Sequence, residues 1–130
     1  LFKYLDAQQL DPIFLLAPTS SAARIAAVGK LARGYVYYVS LKGVTGASNI
    51  DLSEVAAKLP QIKSVTNLPV GVGFGIRDAA TAKSVAGIAD AVVIGSRIIQ
   101  EIESSTAANV LDNVGKLLSG IRAAMDSPNP

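Results

Sequence analysis

Gly71-Val72-Gly73-Phe74-Gly75-Ile76 and, one unit later, Ala91-Val92-Val93-Ile94-Gly95-Ser96 decide the reading of this chain. Each is a short apolar run that ends on glycine. A glycine directly after a strand lets the backbone turn tightly and brings N–H groups to a ligand with no Cβ in the way. Gly95-Ser96 also opens a brief helical pattern containing Ile98, Ile99 and Ile102. The free amides and positive dipole end of such a helix suit a phosphate dianion, and the Ser96 hydroxyl adds a donor. Any one of these glycines alone reads as an ordinary turn residue; the pair, with its extra short helix, points to an anion site. The Gly71/Gly73/Gly75 spacing matches a dinucleotide fingerprint poorly, because Ile76 stands where the third glycine is required and no acidic residue opens a matching βαβ unit.

Outward from these runs the same alternation repeats. Ile13–Leu16 predicts a first strand, introduced by Pro12. Ser20 or Ser21 can cap a helix with Ile25, Val28 and Leu31 on one face, which Gly34 ends. Tyr35–Val39 predicts a second strand. Asp51 and Glu54 form a plausible capping box for a helix through Leu52, Val55, Ala56 and Leu59, which Pro60 is expected to stop. Pro69–Gly73 and Asp90–Ile94 supply the third and fourth strands, with Asp78 capping an Ala-rich helix between them. The final helix carries Val110, Val114, Leu117, Leu118, Ile121 and Met125 in one stripe, before a frayed tail at Ser127–Pro130. Leu1–Gln9 reads as the end of a preceding helix. Strands separated by helices pair in parallel through right-handed crossovers, so the class is α/β.

Length then separates two architectures. A doubly wound sheet is complete at 130 residues, whereas a (β/α)8 barrel needs about 250, making this chain half of one. The glycines cluster after strands at their C-terminal ends, and the first turn, Ala17-Pro18-Thr19-Ser20, has none. That distribution favours the barrel, in which consecutive loops seven and eight with a short extra helix form a recurrent phosphate site. Residues 1–130 are thus expected to be strands 5–8 with their helices, the C-terminal half of one TIM-barrel domain.

Composition narrows the chemistry. Half the residues are apolar and 17% are charged, enough apolar surface for a core. Twelve basic and 10 acidic residues are dispersed, for a net charge of +2, so there is no basic footprint for nucleic acid. Mean hydropathy is +0.39, yet the most apolar stretches, at Ile13–Ala17 and Ala89–Gly95, fall far short of the roughly 18–20 residues a membrane-spanning helix needs. The chain has no Cys and no His, which removes disulfides, His/Cys metal sites and any Ser–His–Asp triad within it. It begins at Leu1 without a signal-peptide pattern and reads as a segment.

One more loop carries information: Ser40-Leu41-Lys42-Gly43-Val44-Thr45-Gly46-Ala47, where two glycines around a Thr predict a lid over a ligand. Together, Gly34-Tyr35-Val36-Tyr37-Tyr38-Val39-Ser40, Gly43-Val44-Thr45-Gly46-Ala47, Gly73-Phe74-Gly75-Ile76 and Ile94-Gly95-Ser96 resemble the tryptophan synthase alpha family in order and spacing. Asp11-Pro12-Ile13-Phe14 through Ala17-Pro18-Thr19 is similar to that family's fifth strand. The resemblance covers nearly the whole chain.

That resemblance implies a lyase that cleaves indole-3-glycerol phosphate to indole and glyceraldehyde 3-phosphate by general acid–base catalysis, without a cofactor. It implies that Gly46, Phe74, Gly75, Gly95 and Ser96 hold the phosphate, chiefly through backbone amides. Tyr37 would border the glycerol and indole parts, Thr45 would belong to the lid, and Val93 would line the indole pocket. It further implies a cytoplasmic heterotetramer with the tryptophan synthase beta chain, where pyridoxal phosphate resides. Leu41, with Lys42 beside it, stands where the family frequently has Arg, which alters the lid's charge interactions. The family's catalytic carboxylates come from early barrel strands and match none of the acids here; Asp51, Glu54, Asp78 and Asp90 sit at caps or strand starts, so no catalytic residue is assigned within this chain. Two other readings stay open on sequence alone: a non-catalytic, phosphate-binding half-barrel that pairs with a second copy, and a flavin-binding barrel oxidoreductase.

Overall fold

The computed structural model describes residues 1–40, 52–73 and 75–127. Four strands, β1 (Phe14–Leu16), β2 (Val36–Val39), β3 (Val70–Gly73) and β4 (Ala91–Val93), alternate with helices α2 (Ala22–Leu31), α3 (Leu52–Lys63) and α4 (Ala79–Ala86). Helix α1 (Phe2–Ala7) precedes them, and α5 (Ser96–Glu103) and α6 (Val110–Asp126) follow. The strands form one sheet in the order β1-β2-β3-β4, every pair parallel. Sequential order with parallel pairing means each helix crosses over the same face of the sheet. This is four consecutive units of the (β/α) type, half a TIM barrel.

Register sorts the strand residues onto two faces, because side chains alternate and paired residues share a side. Leu16, Val36, Tyr38, Val70 and Val72 point to the helices and are 0–1% exposed. They pack against Ile25 and Val28 of α2, Val55, Leu59 and Ile62 of α3, Ala82 and Val85 of α4, and Ile121 of α6. On the opposite face, Leu15 lies level with Tyr37, Gly71 and Ala91, and Val39 lies level with Gly73 and Val93. No helix of the described residues covers that side, and Leu15 is 52% exposed there. The two faces correspond to the outside and inside of a barrel wall.

Helix ends mostly follow the sequence signals. Ser21 caps α2 by accepting from the Arg24 amide, and Asp78 caps α4 by accepting from the Thr81 amide at 2.7 Å. The cap bonds hold the Asp78 carboxyl below its ordinary pKa. Helix α2 stops at Leu31, which leaves that residue outside the core; Gly34, at φ +72°, makes the turn into β2. Asp51 lies outside the described residues, so the capping box expected there is not placed. The expected stop at Pro60 is wrong, since α3 runs on to Lys63. Proline forfeits one amide bond and costs a helix interior about 3 kcal/mol. The extra turn, however, carries Ile62 to complete burial beside Leu59, each worth roughly 1.5–3 kcal/mol. Packing wins, and the Pro60 carbonyl still accepts from the Ser64 amide at 2.9 Å.

Asp90 closes the lower end of the sheet. Its carboxylate accepts from the Val70 amide at 2.9 Å, its own amide donates to the Val70 carbonyl at 3.1 Å, and Lys63 stands 3.0 Å away. The Val70 bond first, then Lys63, hold the Asp90 carboxyl below its usual range. A carboxyl whose pKa is depressed by folding stabilises the fold above its unfolded pKa and loses that contribution as pH falls through the folded value. Unfolding midpoints should therefore drop from about pH 4 downward. In Asp90→Ala that acid-dependent component should shrink, with a stability loss near neutrality of about 1–2 kcal/mol from the orphaned Val70 amide. Urea titrations at several pH values measure both.

Candidate functional site

The open face of the sheet places the nominated residues in two groups. Tyr37 rises from the middle of β2, half-buried, and leans across β3 rather than standing upright. A Cβ built on Gly73 would lie 2.7 Å from the Tyr37 ring edge and closer still to its hydroxyl. Tyr35 does the same one layer below, over Gly71, where a Cβ would meet the ring at 3.4 Å and the Val93 methyl at 3.6 Å. Gly73 is thus the seat of Tyr37, and Gly71 lies in ordinary contact with Tyr35, the residue just before β2. Burial, then the neighbouring Tyr35, push the Tyr37 hydroxyl above its ordinary pKa, so it stays a neutral hydrogen-bond donor.

The second group lies at the C-terminal ends of β3 and β4. Gly75 follows β3 with φ +77°, a left-handed turn that glycine enters without steric cost. Gly95 is the N-cap residue of α5, with φ −119° and ψ −77°, and Ser96 is the first helical residue. Having no side chain, Gly95 offers no cap; its carbonyl accepts from the Ile98 and Ile99 amides at 2.9 and 3.1 Å, and the Ser96 and Arg97 amides ahead of them are left for an outside acceptor. Nothing lies within 4 Å of the position a Gly95 Cβ would take. Val93 ends β4 on the open face, half-buried. Because β3 and β4 are hydrogen-bonded neighbours, Gly75 and Gly95-Ser96 leave the same rim side by side. Thr45, Gly46 and Phe74, and with them Leu41 and the expected lid, lie outside the described residues.

Two residues were not nominated from sequence. Leu15 shares the open face with Tyr37 and, with Val39, helps wall a hollow of about 490 Å³ at the ends of β1 and β2. The loop above that hollow is tied down from three sides. Arg24 donates to the Leu15 carbonyl at 3.3 Å, Lys58 donates to the Ser20 carbonyl at 3.1 Å, and the Ser20 hydroxyl accepts from the Ala17 amide at 3.0 Å. Ser40 is the second, a polar residue only 9% exposed whose hydroxyl donates to the Gly73 carbonyl at 3.1 Å. Strand parity would have found Leu15; no local signal marks Ser40.

Parallel βα units, an open inner face and glycine-bearing loops at the strands' C-terminal ends define half of a (β/α)8 barrel. The family model for the tryptophan synthase alpha chain matches residues 1–125, and the chain belongs to that family. It is 62% identical over 125 residues to the tryptophan synthase alpha chain of Nitrosomonas europaea, covering 96% of this chain and 46% of the relative. It is 63% identical over 122 residues to that of Dechloromonas aromatica, covering 94% of this chain and 46% of the relative. Among solved structures, tryptophan synthase of Mycobacterium tuberculosis superposes with a TM-score of 0.82 at 32% identity, covering 97% of this chain and 46% of the other. The alpha subunit from Legionella pneumophila does so at 0.78 and 37% identity, covering 95% and 45%. The chain therefore spans about half the length of the curated relatives it matches. Among the described residues no helix is long and apolar enough to cross a membrane.

Proposed function

We propose that residues 1–130 are the C-terminal half of a single barrel domain, and that the complete protein is a tryptophan synthase alpha subunit. Its reaction is the retro-aldol cleavage of indole-3-glycerol phosphate. The bond between the indole ring and the glycerol chain breaks, a base takes the hydroxyl proton of the carbon that becomes the aldehyde, and an acid returns a proton to the ring carbon. The acid and base are carboxylates of the half that this chain does not contain. This half binds and orients the substrate. The observation that carries the reading is the pair of neighbouring strand ends, Gly75 with its left-handed turn and Gly95 as an uncapped helix start, in a chain of this family. Gly75, Gly95 and Ser96, together with Gly46 and Phe74, hold the phosphate dianion through amides and one hydroxyl. Tyr37 borders the glycerol part, and Val93 with the apolar Leu15 and Val39 flank the aromatic part. Thr45 belongs to the loop that closes over them.

The remaining proposals follow from family membership. The reaction needs no cofactor; pyridoxal phosphate belongs to the beta chain, with which the subunit assembles in the cytoplasm as a heterotetramer. Membership also favours the lyase over the flavin-dependent alternative. The test is an assay of the full-length protein for indole released from indole-3-glycerol phosphate, alone and with a beta chain. Release of indole, accelerated by the beta chain, is expected. No release under either condition overturns the proposal.

A further inference from the structure

Ser40 makes two hydrogen bonds to one atom. Its backbone amide donates to the Gly73 carbonyl at 3.0 Å, the ordinary ladder bond between β2 and β3, and its hydroxyl donates to the same oxygen at 3.1 Å. The ladder needs only the first. The hydroxyl adds a second, buried hold on the same oxygen, modest but favourable when made. Its acceptor is the last residue of β3, a glycine whose backbone is the least restrained of any residue type. A carbonyl and the peptide unit it belongs to move as one rigid plane. Two donors on the Gly73 oxygen therefore fix the plane of the peptide at the end of β3, two residues before the left-handed turn at Gly75.

We propose that Ser40 is a positioning residue for the phosphate loop: its hydroxyl locks the exit of β3 so that the Gly75 amide is presented to the anion in one orientation. The inference rests on the proposed phosphate site at Gly75 and Gly95-Ser96. Inorganic phosphate titrated into the full-length protein, followed at the Gly75 amide by NMR and paired with a thermal melt, tests it. Ser40→Ala should bind phosphate about three- to tenfold more weakly and melt within a few degrees of the parent, since the ladder bond is retained. Ser40→Thr, which keeps the hydroxyl, should restore the affinity. Should Ser40→Ala not fold, Ser40→Cys, with its weak donor, takes its place and should show the same loss. Phosphate affinity unchanged in the hydroxyl-free variant, in a parent that binds phosphate, overturns the role of Ser40. A parent that binds no phosphate removes the site itself, and the inference with it.

Discussion

Gly95→Val is expected to leave the fold intact and to weaken binding of indole-3-glycerol phosphate by about a hundredfold. Both halves of that expectation come from the same local geometry. At φ −119° the Gly95 backbone is outside the left-handed region that favours glycine, and nothing stands within 4 Å of the incoming Cβ. The substitution should therefore cost about 1 kcal/mol of stability, the difference between glycine and an apolar residue at a helix N-cap. The same open space is where a phosphate would approach the uncapped first turn of α5. A branched side chain there displaces the dianion from amides whose hydrogen bonds to a charged group are worth roughly 1.5–3 kcal/mol each, and losing two at the lower figure gives the stated factor. KM for the substrate and the melting temperature measure the two quantities separately. An unchanged KM would move the phosphate elsewhere on the rim.

Gly73→Ala should do the reverse, damaging the structure first and the site through it. The new methyl would lie 2.7 Å from the Tyr37 ring edge and closer to its hydroxyl, both shorter than real Cβ contacts. Tyr37 is held on β2, so relief requires the ring to swing off its seat or the two central strands to separate. Overpacking of this kind costs about 1–3 kcal/mol. Because the displaced ring is the one proposed to border the glycerol part, kcat should fall together with stability. The double variant Tyr37→Phe/Gly73→Ala relieves the shortest contact, that to the hydroxyl, and should recover part of the stability without the activity. Chemical denaturation and steady-state assays of the two variants decide it, and a fully stable Gly73→Ala would show that the Tyr37 ring swings off Gly73 at little cost.

Much of this architecture is written locally. Gly75 and Gly95 each follow an apolar run directly, and both sit at strand ends. The caps at Ser21 and Asp78 are short-range events whose residues carry their own acceptors. Pro60 misleads because a local rule, the missing amide, is outweighed by a non-local one, the burial of Ile62. Leu15 escapes notice for a related reason. Phe14-Leu15-Leu16 is apolar throughout, so nothing within the strand says which side chain faces inward; pairing with Tyr37 does. Ser40 reads as the first residue of a polar loop, and only the approach of β3, more than thirty positions away in sequence, turns it into a buried donor. Residue identities announced the rim; partners brought in by folding supplied what braces it.

Tyr37 of β2 resting on Gly73 of β3 means that these two strands divide the inner volume unevenly at that level, one giving bulk and the other giving up all of it. At Gly73 neither partner can change size alone. A side chain there demands a smaller residue at Tyr37, so across the family these two positions should drift as a matched couple with their summed volume nearly constant, whereas at Gly71 a methyl would meet Tyr35 at ordinary contact distance.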